Sequence, residues 1–407
     1  MNLSGVFYLG WRYLVRNRIK TLLLVAAFSL VWLLPSGLAL VVSKIESQLR
    51  VRAAGTPLLL GQAGSPLELV FNGLYFTKPG IATFSFGETE AIDESGLATV
   101  IPLYARFSVG GGGGGKYRII GTTLDYFDFR GLELREGRGL IDLGECVVGS
   151  KFADANGIGP GDAIISSPET LFDLAGVYPL KMHVVGVLSP SGSPDDQAIF
   201  VDLKTTWIIE GLGHGHEDAE KLGNDARLPV SAEDRAAAGE TGGEIRLNAS
   251  VVQFNEVTDE NADDFHFHGE LSDYPVMAAI VVPTDAKGQA ILKGRYGRPG
   301  GLQLVAPSEE MDELFATVFS VQDLVLGLLG ATGVGTLAIG ALVFLLSNRL
   351  RRAEFRHLLH LGAAPGAVRA LILFEACFVV LSSLVLSVVG LLAIDRFAPL
   401  LVRSFFG

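Results

Sequence analysis

Four of the seven histidines fall in two H-x-H pairs, His214 and His216 in GHGHED and His266 and His268 in DDFHFHGE. On an extended segment alternate side chains share a face, so each pair presents two imidazoles together. Neutral imidazole suits zinc, and Glu217, Asp218, Asp263 and Asp264 are near enough in sequence to complete a divalent site. The pairs flank an acidic stretch, so one ion would tie its ends. Gly-rich polar loops also accumulate histidine with no ligand role, and that reading stands beside the first. His183, His357 and His360 are isolated and read as structural or interfacial.

Gly110 to Gly115 followed by Lys116 fits the G-x4-G-K frame of a phosphate loop. Tyr117 stands where Ser or Thr should hold magnesium, and a strand-like run follows instead of a helix. The expectation is a hairpin tip, so any ATP would be bound by another subunit. There is no G-x-S-x-G elbow and no H-E-x-x-H, and Ser, His and Asp are scattered, which argues against an enzyme. The two cysteines exclude a disulfide scaffold and a Cys-based zinc module. Cys146 lies in a strand-like run and reads as core. Cys377 lies in an apolar run, so the two are not expected to bridge.

The elements that would position these residues are set by a low charge content. Only 19% of the 407 residues are charged and 49% are hydrophobic, with a mean hydropathy of +0.40. The deficit is concentrated. Thr21–Ser43, Leu324–Asn348 and Ala376–Ile394 contain no Lys, Arg, Asp or Glu, and each reaches or approaches the ~20 residues that span a bilayer. The first run is too long for a cleaved signal and no A-x-A site follows, so it reads as an uncleaved span, kinked at Pro35.

Positive charge gives the orientation. Arg12, Arg16, Arg18 and Lys20 precede the first span, and Arg349, Arg351, Arg352, Arg356 and Arg369 stand between the other two with Glu354 alone against them. Both segments are therefore expected in the cytoplasm. Residues 44–347 carry 21 Lys and Arg against 41 Asp and Glu, a net −20, which offers nothing to nucleic acid.

The expected layout is a cytoplasmic amphipathic helix (1–20), span 1 (21–43), an external domain (44–312), a stalk and span 2 (313–347), a cytoplasmic segment (348–370), span 3 (371–394) and a short tail (395–407). The fold class is an α-helical transmembrane bundle with a large mixed α+β extracytoplasmic domain between spans 1 and 2. KYRIIGTTL, ECVVGS, KMHVVGVL, QAIFVDL and VMAAIVVP read as strands, and the Asp202–Ile209 and Asp285–Lys293 regions as helices. Residues 217–264 carry 13 acids against four bases with little periodicity, the pattern of a solvated, flexible loop. Ser308 reads as an N-cap with Glu309, Glu310, Asp312 and Glu313 in the first turn. Such a helix would outrun the bilayer and join the external domain rigidly to its span.

In the second span Gly327, Ala331 and Gly335 repeat every four residues, a stripe that admits close helix packing within the chain or in a dimer. Glu375 opens the third span, where an acid needs a partner, and a structural or coupling role is expected of it.

The order of these parts resembles the MacB/FtsX/LolC-type permeases of ATP-binding-cassette systems. LGWRYLVRNRIKTLLL (9–24) is similar to that family's leading helix. GLELREGRGL, ECVVGSKFADANGIGPGDAI and MHVVGVL resemble its periplasmic core domain. NRLRRAEFRHLLHLGAAPGAVRALILFEA (348–376) resembles its cytoplasmic coupling segment, with Arg352, Glu354 and the Leu361-Gly362-Ala363 turn in matching places. GTPLLLGQAGSPLELVFNGLYF (55–76) resembles a subgroup with His-rich external loops that accompanies metal-related periplasmic proteins.

The resemblance implies a permease of the bacterial inner membrane, acting as a homodimer or paired permease. A cytoplasmic ATPase subunit would push on the coupling residues Arg349, Arg351, Arg352, Glu354, Arg356 and Gly362. Motion would then reach the periplasmic domain and act there on a periplasmic protein or lipoprotein. These permeases usually have a fourth span, and DRFAPLLVRSFFG is too short and too charged to cross, so the C-terminus would end outside or the chain be truncated. The other class open to the sequence is an anchored periplasmic metal-binding or sensory protein, for which an arginine-rich internal segment has no use.

Overall fold

The computed structural model describes residues 3–77, 81–111, 115–167, 179–215, 255–258, 261, 265–297 and 301–406. The chain divides into two compact units, Met1–Leu49 with Asp312–Phe406, and Arg50–Met311. Chain order begins α1 (Leu3–Arg16), α2 (Arg18–Ala54), β1 (Leu58–Gln62), α3 (Pro66–Tyr75), β2 (Phe84–Ser85), α4 (Gly87–Glu94) and β3 (Ala98–Leu103). It continues β4 (Ser108–Gly110), β5 (Lys116–Thr122), α5 (Asp125–Arg130), β6 (Leu134–Gly137), β7 (Glu145–Val148), α6 (Ser150–Asn156) and β8 (Ala163–Ile165). Then come β9 (Leu180–Leu188), β10 (Ile199–Asp202), α7 (Leu203–Ile209), β11 (Gly213–Gly215), β12 (Asn255–Glu256) and β13 (Phe265–Phe267). Last are β14 (Pro275–Val276), β15 (Ala278–Pro283), α8 (Ala286–Tyr296), β16 (Leu302–Val305), α9 (Pro307–Leu350), α10 (Arg352–His360) and α11 (Pro365–Phe406).

The first unit is helical. Among the described residues three helices are long and apolar enough to cross a membrane, Arg18–Ala54, Pro307–Leu350 and Pro365–Phe397. Glycines let them approach. A Cβ on Gly340 would sit 2.4 Å from the Phe28 ring and one on Gly333 3.0 Å from Val31, so α9 meets α2 there. Gly390 of α11 faces Leu33 in the same way, and the Ser387 hydroxyl donates to the Ser29 carbonyl at 2.9 Å. Gly327, Ala331 and Gly335, by contrast, are exposed, and a Cβ on either glycine would meet nothing within 4 Å. Their spacing does define a face, but that face has no partner within the described residues. Helix α1 packs on α11, with Phe7 edge-on to Phe374 at 5.0 Å and Trp11 to Phe378 at 5.7 Å.

Two helix ends differ from the sequence reading. Helix α9 starts at Pro307, so Ser308 is not its cap. The amides of Glu309 and Glu310 donate to the Ala306 carbonyl instead, and proline fits the first helical position because it has no amide hydrogen to leave unpaired. Helix α11 runs unbroken from Pro365 to Phe406, so residues 395–406 prolong it where a separate tail was expected. Lys44 pairs with Asp395 at 2.5 Å and satisfies the charge there without ending the helix.

The second unit is mixed α and β. One antiparallel sheet has the order β16-β1-β15-β3 and buries Leu58, Leu60, Val276, Ala279 and Val281 with Ile92 of α4 and Leu292 of α8. A larger mixed sheet runs β12-β9-β7-β10-β5-β4, with β6 and β8 also on β9. Its core gathers Cys146, Val148, Phe152, Met182, Val184, Ile199 and Trp207. The strand-like runs of the sequence all become strands, since each alternates or is β-branched and ends at Gly, Pro or Asp. Asp202 and Asp285 cap α7 and α8 by accepting from Lys204 and Gly288 amides.

Strands β4 and β5, at the two ends of the Gly110–Lys116 run, pair antiparallel and the Gly111 amide donates to the Gly115 carbonyl, so the chain makes a hairpin there; residues 112–114 lie outside the described residues. Of the expected loop 217–264 only residues 255–258 and 261 are among the described ones, and they include a strand. Strand β12 pairs in parallel with β9, Val257 is buried in the core, and Glu256 binds Lys181 and His183 at 2.8 and 2.9 Å. Two residues of strand with one apolar neighbour are too short to show as periodicity among so many acids.

Candidate functional site

The segment between α9 and α11 is built around one inward residue. Arg351 is 9% exposed, and its guanidinium donates to both Glu375 oxygens at 2.8 and 3.0 Å. The same group lies over the Tyr13 ring, 3.5 Å from its centroid, and over Phe355 at 4.8 Å. Glu375 is 2% exposed. Tyr13 and Lys20 in turn bond the Ser347 hydroxyl at 3.0 and 2.6 Å. Arg351 is therefore a structural member of the set of candidate coupling residues, not a free contact residue.

That anchor leaves the other charged residues of the segment facing outward. Phe355 is buried among Val6, Ala367 and Leu371, and Arg352, Glu354 and Arg356 are exposed, as is Arg349 at the end of α9. Glu354 pairs with Arg351 three residues back at 3.2 Å. The helix ends in a turn at Gly362, whose φ is +90°. Only glycine takes that conformation without strain, and it lets the Leu361, Gly362 and Ala363 amides close on carbonyls of the last turn. The result is a short helix with one apolar contact face and an exposed, net-positive face, suited to dock an acidic protein surface.

A second buried arginine was not legible in the sequence. Arg52, in the last turn of α2, donates to Asp195 at 2.6 and 2.8 Å, to the Tyr126 hydroxyl at 2.8 Å and to the Leu74 carbonyl. Tyr126 and Ser193 also donate to Asp195, each at 2.8 Å. Burial alone would push the Asp195 carboxyl up, but the guanidinium and these donors outweigh it and hold it below the usual carboxylate range. Burial pushes the Tyr126 hydroxyl well up despite the nearby guanidinium, so it stays a donor. Asp196, the next residue, is held down by Lys151 and the Ser191 donors against its own burial. Gly149 must be glycine for this loop to seat, since a Cβ would lie 2.2 Å from the Asp195 carbonyl.

The histidines are partly described. Strands β11 and β13 pair antiparallel with His214 opposite His266. The His266 and His268 rings are 4.8 Å apart, edge to face. His216, Glu217, Asp218, Asp263 and Asp264 lie outside the described residues. Among the described residues no group of three or more His, Cys, Asp or Glu is placed to hold a metal ion. Phe267 packs on Trp207 and Tyr274, and the Trp207 indole donates to the Pro275 carbonyl at 2.9 Å, so the strand carrying His266 is fixed from below.

Residues 41–248 match the model of the MacB-like periplasmic core domain family, just over half of the chain. A search of curated proteins finds no match. Among solved structures, the periplasmic region of MacB from Actinobacillus actinomycetemcomitans is similar over 65% of this chain and 94% of its own, at 12% identity and a TM-score of 0.34. The extracellular domain of the noncanonic ABC-type transporter YknZ from Gram-positive bacteria is similar over 61% and 99%, at 10% identity and 0.33. A domain of a putative permease from Porphyromonas gingivalis is similar over 61% and 86%, at 14% identity and 0.27.

Removing one partner of a buried ion pair leaves an uncompensated charge and costs about 3–5 kcal/mol. Arg52→Ala is expected to lower the thermal midpoint of the second unit, read by tryptophan fluorescence of the full chain, and Arg52→Met with Asp195→Leu to recover most of the loss. Because the Asp195 pKa is depressed on folding, its contribution is present above the ordinary carboxylate value. It is lost as the pH falls through the folded value. Stability from this source should hold from pH 7 to 5 and fall below about pH 4, and Asp195→Asn should flatten that acid limb. An acid limb identical in the Asn variant assigns it to other carboxylates.

Proposed function

We propose that this chain, a MacB/FtsX-like permease that belongs to the MacB-like periplasmic core domain family, relays ATP-driven motion of a cytoplasmic ATPase subunit to its large outer unit. The observation that carries the reading is the α10 face. Arg349, Arg352 and Arg356 are exposed while Phe355 and Arg351 fix the helix from behind. A cationic helix held on a short, closed turn is what a pushing partner needs to grip. ATP chemistry then belongs to the partner, and this chain acts without a catalytic site of its own. Helix α2 supplies its last turn to the outer unit and α9 its first, so both are candidate carriers of the motion. Work would be done outside, on a periplasmic protein or lipoprotein. The unpartnered Gly327, Ala331 and Gly335 face is assigned to a second permease copy, since small residues let helix backbones pack closely in lipid.

Reversing two charges tests the coupling. Arg352→Glu with Arg356→Glu should abolish co-purification with the ATPase and its stimulation, while membrane insertion is kept. Unchanged pull-down and unchanged ATP hydrolysis remove α10 from the mechanism.

In this reading the chain is a multi-pass protein of the inner membrane with a cytoplasmic N-terminus and a periplasmic outer unit, an orientation supported by the positive charge around the spans. Reporter fusions after Lys20 and at Gly362 should report cytoplasm, and those at Gly113 and Gly407 periplasm. A cytoplasmic Gly407 means that the third span is misread.

A zinc site on the outer unit is a second reading, favoured by the register that sets His214 opposite His266 with His268 beside it. His214, His216, His266 and His268 would supply neutral imidazoles to a tetrahedral ion. Binding should weaken as the pH falls through ~6.5, because each ligand must lose its proton. The chain should take up about one zinc, lost when all four become Ala. Absence of calorimetric heat at micromolar zinc, or undiminished binding by the quadruple variant, returns these residues to ordinary strand and loop.

A further inference from the structure

Where α1 gives way to α2, the first unit carries a groove of about 600 Å³ with an unusual lining. Its lining combines Arg16, Arg18 and Lys20 with Asn17 and with the apolar Ile19, Leu23, Leu24 and Val343. No acidic residue lines it. Lys20 is steered by the Ser347 and Tyr13 hydroxyls, while Arg16 and Arg18 are exposed and have no ion-pair partner among the described residues. The charge-free run of the first span begins at Thr21, so the cations sit just outside the apolar segment and the leucines just inside it. Helix α1 leaves Tyr8 63% exposed and Trp11, which packs on Phe378, 51% exposed, and such amphipathic rings settle at the headgroup level of a bilayer.

We propose that this groove binds an anionic phospholipid, its phosphate held by Arg16, Arg18 and Lys20 and an acyl chain laid along Leu23, Leu24 and Val343. Charge complementarity selects the occupant. Three cations without an acid call for an anion, and the apolar wall that continues from them calls for one with a hydrocarbon tail. A soluble phosphate satisfies only half of the groove. A lipid there would fasten the α1–α2 elbow at Asn17 to the leaflet. The proposal goes beyond the coupling reading and does not rest on it, because it needs only that α2 crosses the membrane.

The test uses the full chain purified in uncharged detergent and titrated, by native mass spectrometry, with dioleoyl phosphatidylglycerol, dioleoyl phosphatidylcholine and inorganic phosphate. Phosphatidylglycerol should bind at least tenfold more tightly than phosphatidylcholine, and millimolar phosphate should not displace it. A basic residue near an anionic headgroup is worth about fivefold in affinity, so Arg16→Gln with Arg18→Gln should weaken phosphatidylglycerol about twenty-fivefold and leave phosphatidylcholine unchanged. Arg16→Lys with Arg18→Lys should retain binding, and so should Lys287→Gln with Arg295→Gln, which removes two exposed cations elsewhere. If the Gln pair fails to fold, Val343→Trp, which fills the apolar wall without changing charge, should weaken both lipids. Equal binding of the two lipids, full binding by the Gln pair, displacement by phosphate, or protection of Arg18 by a second copy of the chain instead of lipid each overturns the proposal.

Discussion

A charge carried where water is scarce must have its partner built into the protein, and in the membrane unit that partner is Arg351 for Glu375. The pair is buried, bonded through both carboxylate oxygens, and covered by the Tyr13 ring. Three segments meet at it: α1 through Tyr13, the α9–α10 junction through Arg351, and α11 through Glu375. The attraction is largely offset by the cost of stripping water from both groups, so such a pair contributes little net stability. Its contribution is to arrangement. With Arg351 committed inward, Phe355 follows it into the Val6 and Leu371 cluster one helical turn later, and Arg352 and Arg356 face outward.

The same chemistry recurs in the outer unit at Arg52. Apolar helix faces slide over one another at little cost, because one leucine replaces another every turn. A bidentate arginine–carboxylate bond does not slide, since a shift of one residue along a helix moves the guanidinium by about 1.5 Å and rotates it by 100°. Arg52 spends its donors on Asp195, Tyr126 and Leu74 at once, so the last turn of α2 has one seat in its unit. Arg351 gives the end of α9 one seat in the other. Helices α2 and α9 are thus each indexed near an end by an arginine, and the apolar lengths are left to glycine contacts such as Gly340 against Phe28 and Gly390 against Leu33.

The spans, the major strands and the two internal helices of the outer unit were legible because charge-free runs, alternation and caps are local signals. So was the need of Glu375 for a partner, since an acid on an apolar helix stands out. Which residue answers it was not legible, and Arg351 was grouped with its exposed neighbours because composition does not say which arginine turns inward. Arg52 and Asp195 are 143 residues apart, and nothing in LRVRAA or SGSPDDQ points from one to the other. Strand β12 was hidden among acids because its register on β9, not its own periodicity, makes it a strand. The Gly327, Ala331 and Gly335 stripe lies exposed on α9; four-residue spacing fixes direction on a helix and says nothing of what stands opposite.

Chain order adds a constraint on the proposed relay. A helix passes on displacement along its axis only if its end neither slips nor turns in its seat, and a hydrophobic seat alone permits both. In the outer unit Arg52 prevents slip through the Asp195 carboxylate, which is itself held by Tyr126, Ser193 and the close approach of Gly149. The Asp195 backbone packs so near Gly149 that the loop has no room to yield inward. In the helical unit the corresponding restraint is the closed turn at Gly362, which separates α10 from α11. A force applied to Arg352 or Arg356 therefore meets a short helix that can neither unwind at Gly362 nor detach from Glu375 without exposing a buried charge. In the proposed relay, rigid displacement of the helix would then be the response of lowest cost.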